Sequence, residues 1–195
     1  MLRKPTWGTC AGLILLAESA NRTKKGGQEL IGGLDVRVNR NHFGRQTESF
    51  QANLDLPFLR NPGVKGSDTK ENPFRAIFIR APIVEKLLPV VGGRQEGEVG
   101  VGETIVAPSK PIDTDIVKDF HLGNVEVLGV LPGRAAALDE ATRDRLDAEA
   151  GDIIAVRQAN VFGTSFHPEL TGDPRIHVWW LEQVVKEVGH RRRAQ

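Results

Sequence analysis

A chain of 195 residues has room for one globular domain with a substantial core and is short for two. With 39% hydrophobic and 26% charged residues it has ordinary soluble-domain composition, and a formal net charge of +1 supplies no field toward nucleic acid or a membrane surface. The one cysteine, Cys10, excludes an internal disulfide and a multi-cysteine metal site, and a lone thiol fits a reducing compartment, so a cytoplasmic location is expected. No apolar run approaches the roughly 18 residues of a membrane span, and the short run after Cys10 lacks a signal-peptide layout. The basic stretch His190-Arg191-Arg192-Arg193 reads as a solvated tail.

Residues 4–7 read as a short strand leading at once into Gly8-Thr9-Cys10-Ala11-Gly12 and a helix-compatible apolar run over 13–20. A central turn at residue 10 leaves little room upstream for the other strands it needs, so a missing N-terminal portion is expected. Over 34–40, Leu34, Val36 and Val38 alternate with Asp35, Arg37 and Asn39, the pattern of a half-buried strand. Residues 49–54 alternate likewise through Phe50, Ala52 and Leu54. Residues 61–73 form a loop rich in Gly, Pro and charge, and 75–79 a compact apolar strand closed by Pro82. The glycine-rich stretch 89–124 has no sustained period and reads as an insertion, mobile in part.

A strand is expected over 125–129, a helix over 135–150 anchored by Leu138 and Leu146, and strands over 153–156 and 161–165. The last strand runs into Phe166-His167-Pro168-Glu169-Leu170. An amphipathic helix over about 174–188 follows, with Ile176, Trp180, Val184 and Val188 in one stripe, widened by Leu181 and Val185, and Pro174 in its first turn. Strands interspersed with helices predict an α/β layered fold, and hairpin-like pairs near 34–54 and 125–165 predict antiparallel additions to a mostly parallel sheet. No internal repeats occur.

Gly8-x-Cys10-x-Gly12 between a strand and a helix is the cysteine form of a nucleophile elbow: the glycines permit a sharp turn and the thiol stands above the sheet edge. The following helix aims its N-terminus at the sulfur and favours thiolate, and the Ala11 N–H can serve as an oxyanion donor. Alone, the pattern is weak, and a lone cysteine is more often simply a buried, inert one. His167-Pro168-Glu169 adds the partners a thiol needs, because residues two apart in an extended segment project to one side and Glu169 can then orient the imidazole. Pro168 stiffens the pair. The plain alternative is a strand-end histidine beside a solvated glutamate.

Gly8-Thr9-Cys10-Ala11-Gly12-Leu13 and Ser165-Phe166-His167-Pro168-Glu169-Leu170-Thr171 resemble the two signature blocks of class I glutamine amidotransferases. Arg40-Asn41-His42-Phe43-Gly44-Arg45-Gln46, followed by Glu48-Ser49-Phe50, and Phe78-Ile79-Arg80-Ala81-Pro82 resemble more specific segments of the pyridoxal phosphate synthase glutaminases, the PdxT/SNO family. The resemblance implies a three-layer, flavodoxin-like class I amidotransferase domain over residues 1–195, incomplete at its N-terminus and carrying insertions near 61–73, 89–124 and 132–150. It implies Cys10 as nucleophile on the glutamine carboxamide, His167 as proton carrier and Glu169 as its orienting group. It also implies that Arg40, Ile79 and Arg80 hold L-glutamine; read without it, Arg40 and Arg80 are surface arginines at sheet edges. His42 and Arg45 receive no role. Ammonia would pass to a barrel-shaped synthase subunit that makes pyridoxal phosphate, in a heteromeric complex for vitamin B6 biosynthesis. No cofactor or metal is implied for the glutaminase step.

Two departures from the family stand out. Family members carry a strand, a helix and a Gly-Gly-Glu-Ser loop before the cysteine; no such loop occurs here, and with it a second oxyanion donor worth about 2.7–4 kcal/mol would be lost. His167 also lies 157 positions after Cys10, a long spacing whose surplus falls in the three insertions. Three readings follow: a glutaminase whose upstream part is missing from this sequence, a non-catalytic homologue that keeps only binding surface, and the glutaminase of another amidotransferase. The Arg40–Gln46 and Phe78–Pro82 blocks speak against the last.

Overall fold

The computed structural model describes residues 4–21, 29–40, 49–60, 68–108, 123–133, 144 and 150–194. The helix expected over 135–150 falls almost wholly outside them, as do His42 and Arg45.

The first sheet has the order β1-β10-β9-β8, built from β1 (Thr6–Thr9), β8 (Glu126–Val130), β9 (Ile153–Gln158) and β10 (Val161–Thr164). β1 runs parallel to β10, with Thr9 opposite Thr164, and β8, β9 and β10 form an antiparallel meander. The turn between β9 and β10 places Ala159 at φ 50°, a left-handed conformation uncommon for a residue with a Cβ.

The second sheet, β6-β3-β2-β7, corrects the expected helix over 13–20. Helix α1 covers Ala11–Leu16, and Ala17–Asn21 is strand β2, parallel to β3 (Leu34–Asn39). Ala17, Glu18, Ser19 and Ala20 are good or neutral helix formers, but all four are buried in the sheet, and tertiary pairing overrides the local preference. The Glu18 carboxylate accepts the Gly33 N–H at 2.6 Å, and Gly32, at φ 79°, leaves room for it, since a Cβ there would stand 2.6 Å from Glu18 Oε1.

β3 was expected to be half-buried; both of its faces are covered. Leu34, Val36 and Val38 pack with Leu13, Val84, Val156 and Val161. On the polar side, Asp35 accepts hydrogen bonds from Gln158 Nε2 at 2.7 Å and Gln95 Nε2 at 2.9 Å. Arg37 pairs with Glu85 at 3.1 Å and Glu98 at 3.2 Å, and Asn39 donates to Glu85 at 2.7 Å. The cover comes from the glycine-rich stretch: a 3-10 turn at Glu96–Glu98, and strand β7 (Thr104–Val106), antiparallel to β2. Residues 109–122 of that stretch lie outside the described set. β6 (Ile83–Leu87) pairs with β3 on its other edge.

β4 (Ser49–Leu54) pairs with β5 (Phe74–Ile79) as a separate two-stranded sheet, so the hairpin expected near 34–54 does not form. Of the seven pairings among the described residues, β1–β10 and β2–β3 are parallel and five are antiparallel. Antiparallel pairs thus outnumber parallel ones among the described residues.

The two large apolar clusters lie on opposite faces of β9–β10 and define three layers. Val161, Ile153 and Val156 face α1 and β3. Phe162 and Ile154 face β4–β5 and the C-terminal helix α2 (Arg175–Ala194), joining Phe74, Phe78, Phe166 and Ile176, with Trp7, Trp179 and Trp180 packed against them. Asp173 caps α2 by accepting the Arg175 N–H at 3.0 Å across Pro174. Ile176 is fully buried, but of the expected stripe Leu181, Val185 and Val188 are exposed.

Candidate active site

Cys10 lies between β1 and α1, at the N-cap of the helix, with φ 47° and ψ −104°. The strain of the elbow therefore rests on the cysteine itself and not on its glycines, and strained backbone of this kind costs on the order of 1–3 kcal/mol. Gly8 has a packing role: a Cβ there would stand 2.5 Å from the Gly12 carbonyl carbon and oxygen. Around Gly12 a Cβ would meet nothing within 4 Å, so this glycine borders open space. The Cys10 N–H donates to the Thr164 carbonyl at 2.8 Å, tying the elbow to the end of β10, three residues before His167. Ala11 is exposed at the start of α1.

Strand β5 brings the two halves together. The His167 N–H donates to the Ile77 carbonyl at 2.8 Å, and the Cys10 thiol lies 3.8 Å from the Ile79 carbonyl. Ile77 and Ile79 are two apart, so their carbonyls point to one edge of β5 about 7 Å apart. The thiol and the histidine backbone are thereby held against the same strand end. Phe78, between them, stacks on Phe50 at 4.6 Å and meets Phe166 at 5.7 Å, fixing the residues next to Ile79 and His167.

His167 Nδ1 lies 2.6 Å from Glu169 Oε1. The contact is the expected one but its local geometry is not: Pro168–Leu170 is a 3-10 turn with His167 at its N-cap, so the carboxylate returns over a tight turn instead of along an extended segment. The Nδ1 contact leaves Nε2 as the nitrogen available for proton transfer. Both side chains are open to solvent, Glu169 more than His167.

Arg80 follows Ile79 with φ 45°, a second strained residue with a Cβ at this site, and it is exposed. Arg40 sits past the end of β3, where its N–H donates to Asn21 Oδ1 at 2.6 Å. Burial lowers the pKa of its guanidinium. The bonds that join Cys10, Ile77, Ile79 and His167 run through other residues than Arg40. Sequence reasoning missed Thr164, Ile77 and the Phe50–Phe78–Phe166 stack; the period-two aromatic positions of β4 and β5 were the available signal for the stack, whereas backbone carbonyls leave none. Among the described residues no group of three or more His, Cys, Asp or Glu side chains is arranged to hold a metal ion, and no helix is long and apolar enough to cross a membrane.

A model of the SNO glutamine amidotransferase family matches residues 2–126 and 124–186. The chain is 37% identical over 185 residues to a probable pyridoxal 5'-phosphate synthase subunit PDX2 of Arabidopsis thaliana, covering 95% of this chain and 59% of that protein. It is 36% identical over 177 residues to the pyridoxal 5'-phosphate synthase subunit PdxT of Herpetosiphon aurantiacus, covering 91% and 61% respectively. The chain thus spans about three fifths of the length of these relatives. A solved structure described as a glutamine amidotransferase superposes with a TM-score of 0.50 at 31% identity, over 90% of this chain and 58% of that one. The α/β class and the amidotransferase fold are those expected from the sequence blocks.

Proposed function

Since this chain belongs to the SNO glutamine amidotransferase family, we propose that it hydrolyses L-glutamine to glutamate and ammonia with Cys10 as nucleophile and that the ammonia serves pyridoxal phosphate synthesis. The observation that carries the reading is the convergence of Cys10 and the His167 backbone on the Ile77–Ile79 end of β5, with Glu169 on Nδ1 of the imidazole. In this reading the Cys10 sulfur adds to the carboxamide carbon and its proton passes to His167 Nε2. The Ala11 N–H donates to the oxyanion. Collapse of the tetrahedral adduct breaks the C–N bond, and the imidazolium returns the proton to the departing ammonia. Water, deprotonated by His167, then cleaves the thioester, and glutamate leaves with the thiol restored. Arg40, Ile79 and Arg80 hold the amino-acid end of glutamine, the guanidiniums facing its carboxylate. No metal or cofactor enters these steps.

A barrel-type pyridoxal phosphate synthase subunit is the proposed partner, supported by the names of the relatives. The test is glutamine turnover measured with and without that subunit. Cys10→Ala is expected to abolish it, and Glu169→Gln to lower kcat by roughly 10²–10⁴ with little change in KM. Turnover undiminished in Cys10→Ala would sink the mechanism. Absent turnover with intact partner binding would favour the non-catalytic reading.

A further inference from the structure

Strand β10 alternates between the two large apolar clusters. Val161 and Gly163 face α1 and β3, where a Cβ on Gly163 would meet Leu13 and Leu34. Phe162 and Thr164 point the other way, toward Trp7 and the aromatic layer. Thr164 is fully buried there. A valine would fill nearly the same space with no polar atom to satisfy, so the hydroxyl needs a reason of its own.

Three bonds of this residue bear on the site. Its carbonyl accepts the Cys10 N–H at 2.8 Å. Its hydroxyl accepts the Trp7 indole N–H at 3.3 Å and donates to the Phe166 carbonyl at 3.4 Å. That carbonyl and the His167 N–H belong to one peptide group, and the N–H donates to the Ile77 carbonyl at 2.8 Å. With both of its polar ends held, the planar unit keeps one tilt, and the tilt sets where the His167 side chain starts. Satisfying the half-buried Trp7 indole is the simpler service of the hydroxyl. It does not account for the second bond, which reaches the peptide entering His167.

We propose that Thr164 is a positioning residue for glutamine hydrolysis, a single residue that holds the peptides entering both the nucleophile and the base. Its carbonyl fixes the backbone at Cys10 and its hydroxyl fixes the approach of His167, so thiol and imidazole keep one spacing. The proposal rests on the glutaminase reading and adds to it a residue that touches neither substrate nor reacting atoms.

Cys10 is the only cysteine of the chain, so its alkylation by iodoacetamide reports on the pair directly. A thiol beside an imidazole reacts at lower pH than an isolated one, and His167→Ala defines the unpaired profile. Strand β1 and helix α1 bring no charged side chain to the sulfur, and Glu169 and Arg80 are the same in every variant. Thr164→Val removes the hydroxyl and keeps the backbone bond to Cys10. Its alkylation rate at acid pH should fall about tenfold, toward that of His167→Ala. Thr164→Ser should keep the wild-type profile. Trp7→Phe removes the indole donor but keeps a ring against Phe162, and should keep that profile too. Circular dichroism and urea midpoints check that the variants are folded, and Thr164→Ala stands in for the valine variant if that one is not. A wild-type profile in Thr164→Val, with His167→Ala still different, overturns the positioning role and leaves the glutaminase reading intact. An equal loss in Trp7→Phe also overturns it, since the hydroxyl would then serve only the indole. One and the same profile in wild type and His167→Ala would mean that no thiol–imidazole pair exists, and both readings would fall.

Discussion

Gly8 and Gly12 flank Cys10 symmetrically in sequence, yet replacing each by alanine should move stability in opposite directions. A Cβ on Gly8 would stand 2.5 Å from the carbonyl carbon and oxygen of Gly12 and 2.7 Å from Leu16 Cδ1. Two of those three atoms are backbone of α1, so no side-chain rotation relieves the overlap and α1 must move away from β1. Forcing a methyl group into such a site costs about 1–3 kcal/mol. Gly12 lies inside α1 with open space around it, and alanine in a helix is favoured over glycine by roughly 0.5–1 kcal/mol. The two substitutions therefore separate by about 1.5–4 kcal/mol. With a urea slope of roughly 2 kcal/mol/M, Gly8→Ala lowers the unfolding midpoint by on the order of 1 M and Gly12→Ala raises it by a few tenths. Tryptophan fluorescence is a suitable probe, because Trp7, Trp179 and Trp180 all pack around Phe162. A Gly8→Ala midpoint at or above that of Gly12→Ala would refute the packing argument.

Two further outcomes concern charge. Burial alone would raise the Asp173 carboxyl pKa, but its bonds to the Arg175 guanidinium and N–H outweigh this and hold it below the usual range. A depressed folded-state pKa contributes stability that is intact above the unfolded value, near 4, and fades as the pH falls through the folded one. Asp173→Ala should therefore cost about 1 kcal/mol at neutral pH, and urea titrations should show the difference closing in acid. A gap that persists unchanged in acid would assign the cap's effect to something other than its charge. Arg37→Met strands the buried carboxylates of Glu85 and Glu98 and should destabilise by about 3–5 kcal/mol in the same assay; a loss under about 1 kcal/mol would mean that water reaches both acids.

Much of the site was legible because its chemistry sits in short contiguous blocks. Strands β3, β4, β5, β9 and β10 appeared where period-two alternation or compact apolar runs placed them. The contact between His167 and Glu169 was legible as well, although the 3-10 turn that makes it was not. Residues 17–21 misled because Ala17-Glu18-Ser19-Ala20 carries no strand preference, and their pairing with β3 depends on residues more than a dozen positions away. The polar side of β3 misled for a related reason. Asp35, Arg37 and Asn39 look like a solvent face, yet Asp35 and Asn39 are buried and Arg37 is largely covered, because Gln158, Gln95, Glu85 and Glu98 arrive from distant segments to satisfy them.

In the order of residues alone, the α/β class, the strand–turn–helix at Cys10 and the nearness of His167 to Glu169 were legible, since each depends on groups within a few positions of one another. Folding alone decided that the strained φ falls on Cys10 and Arg80, that the thiol and imidazole segments share the end of β5, and that α2 keeps an apolar face outside. These are relations between segments far apart in the chain. Local propensity carries no information about them, because backbone hydrogen bonds and side-chain contacts across the layers fix them together.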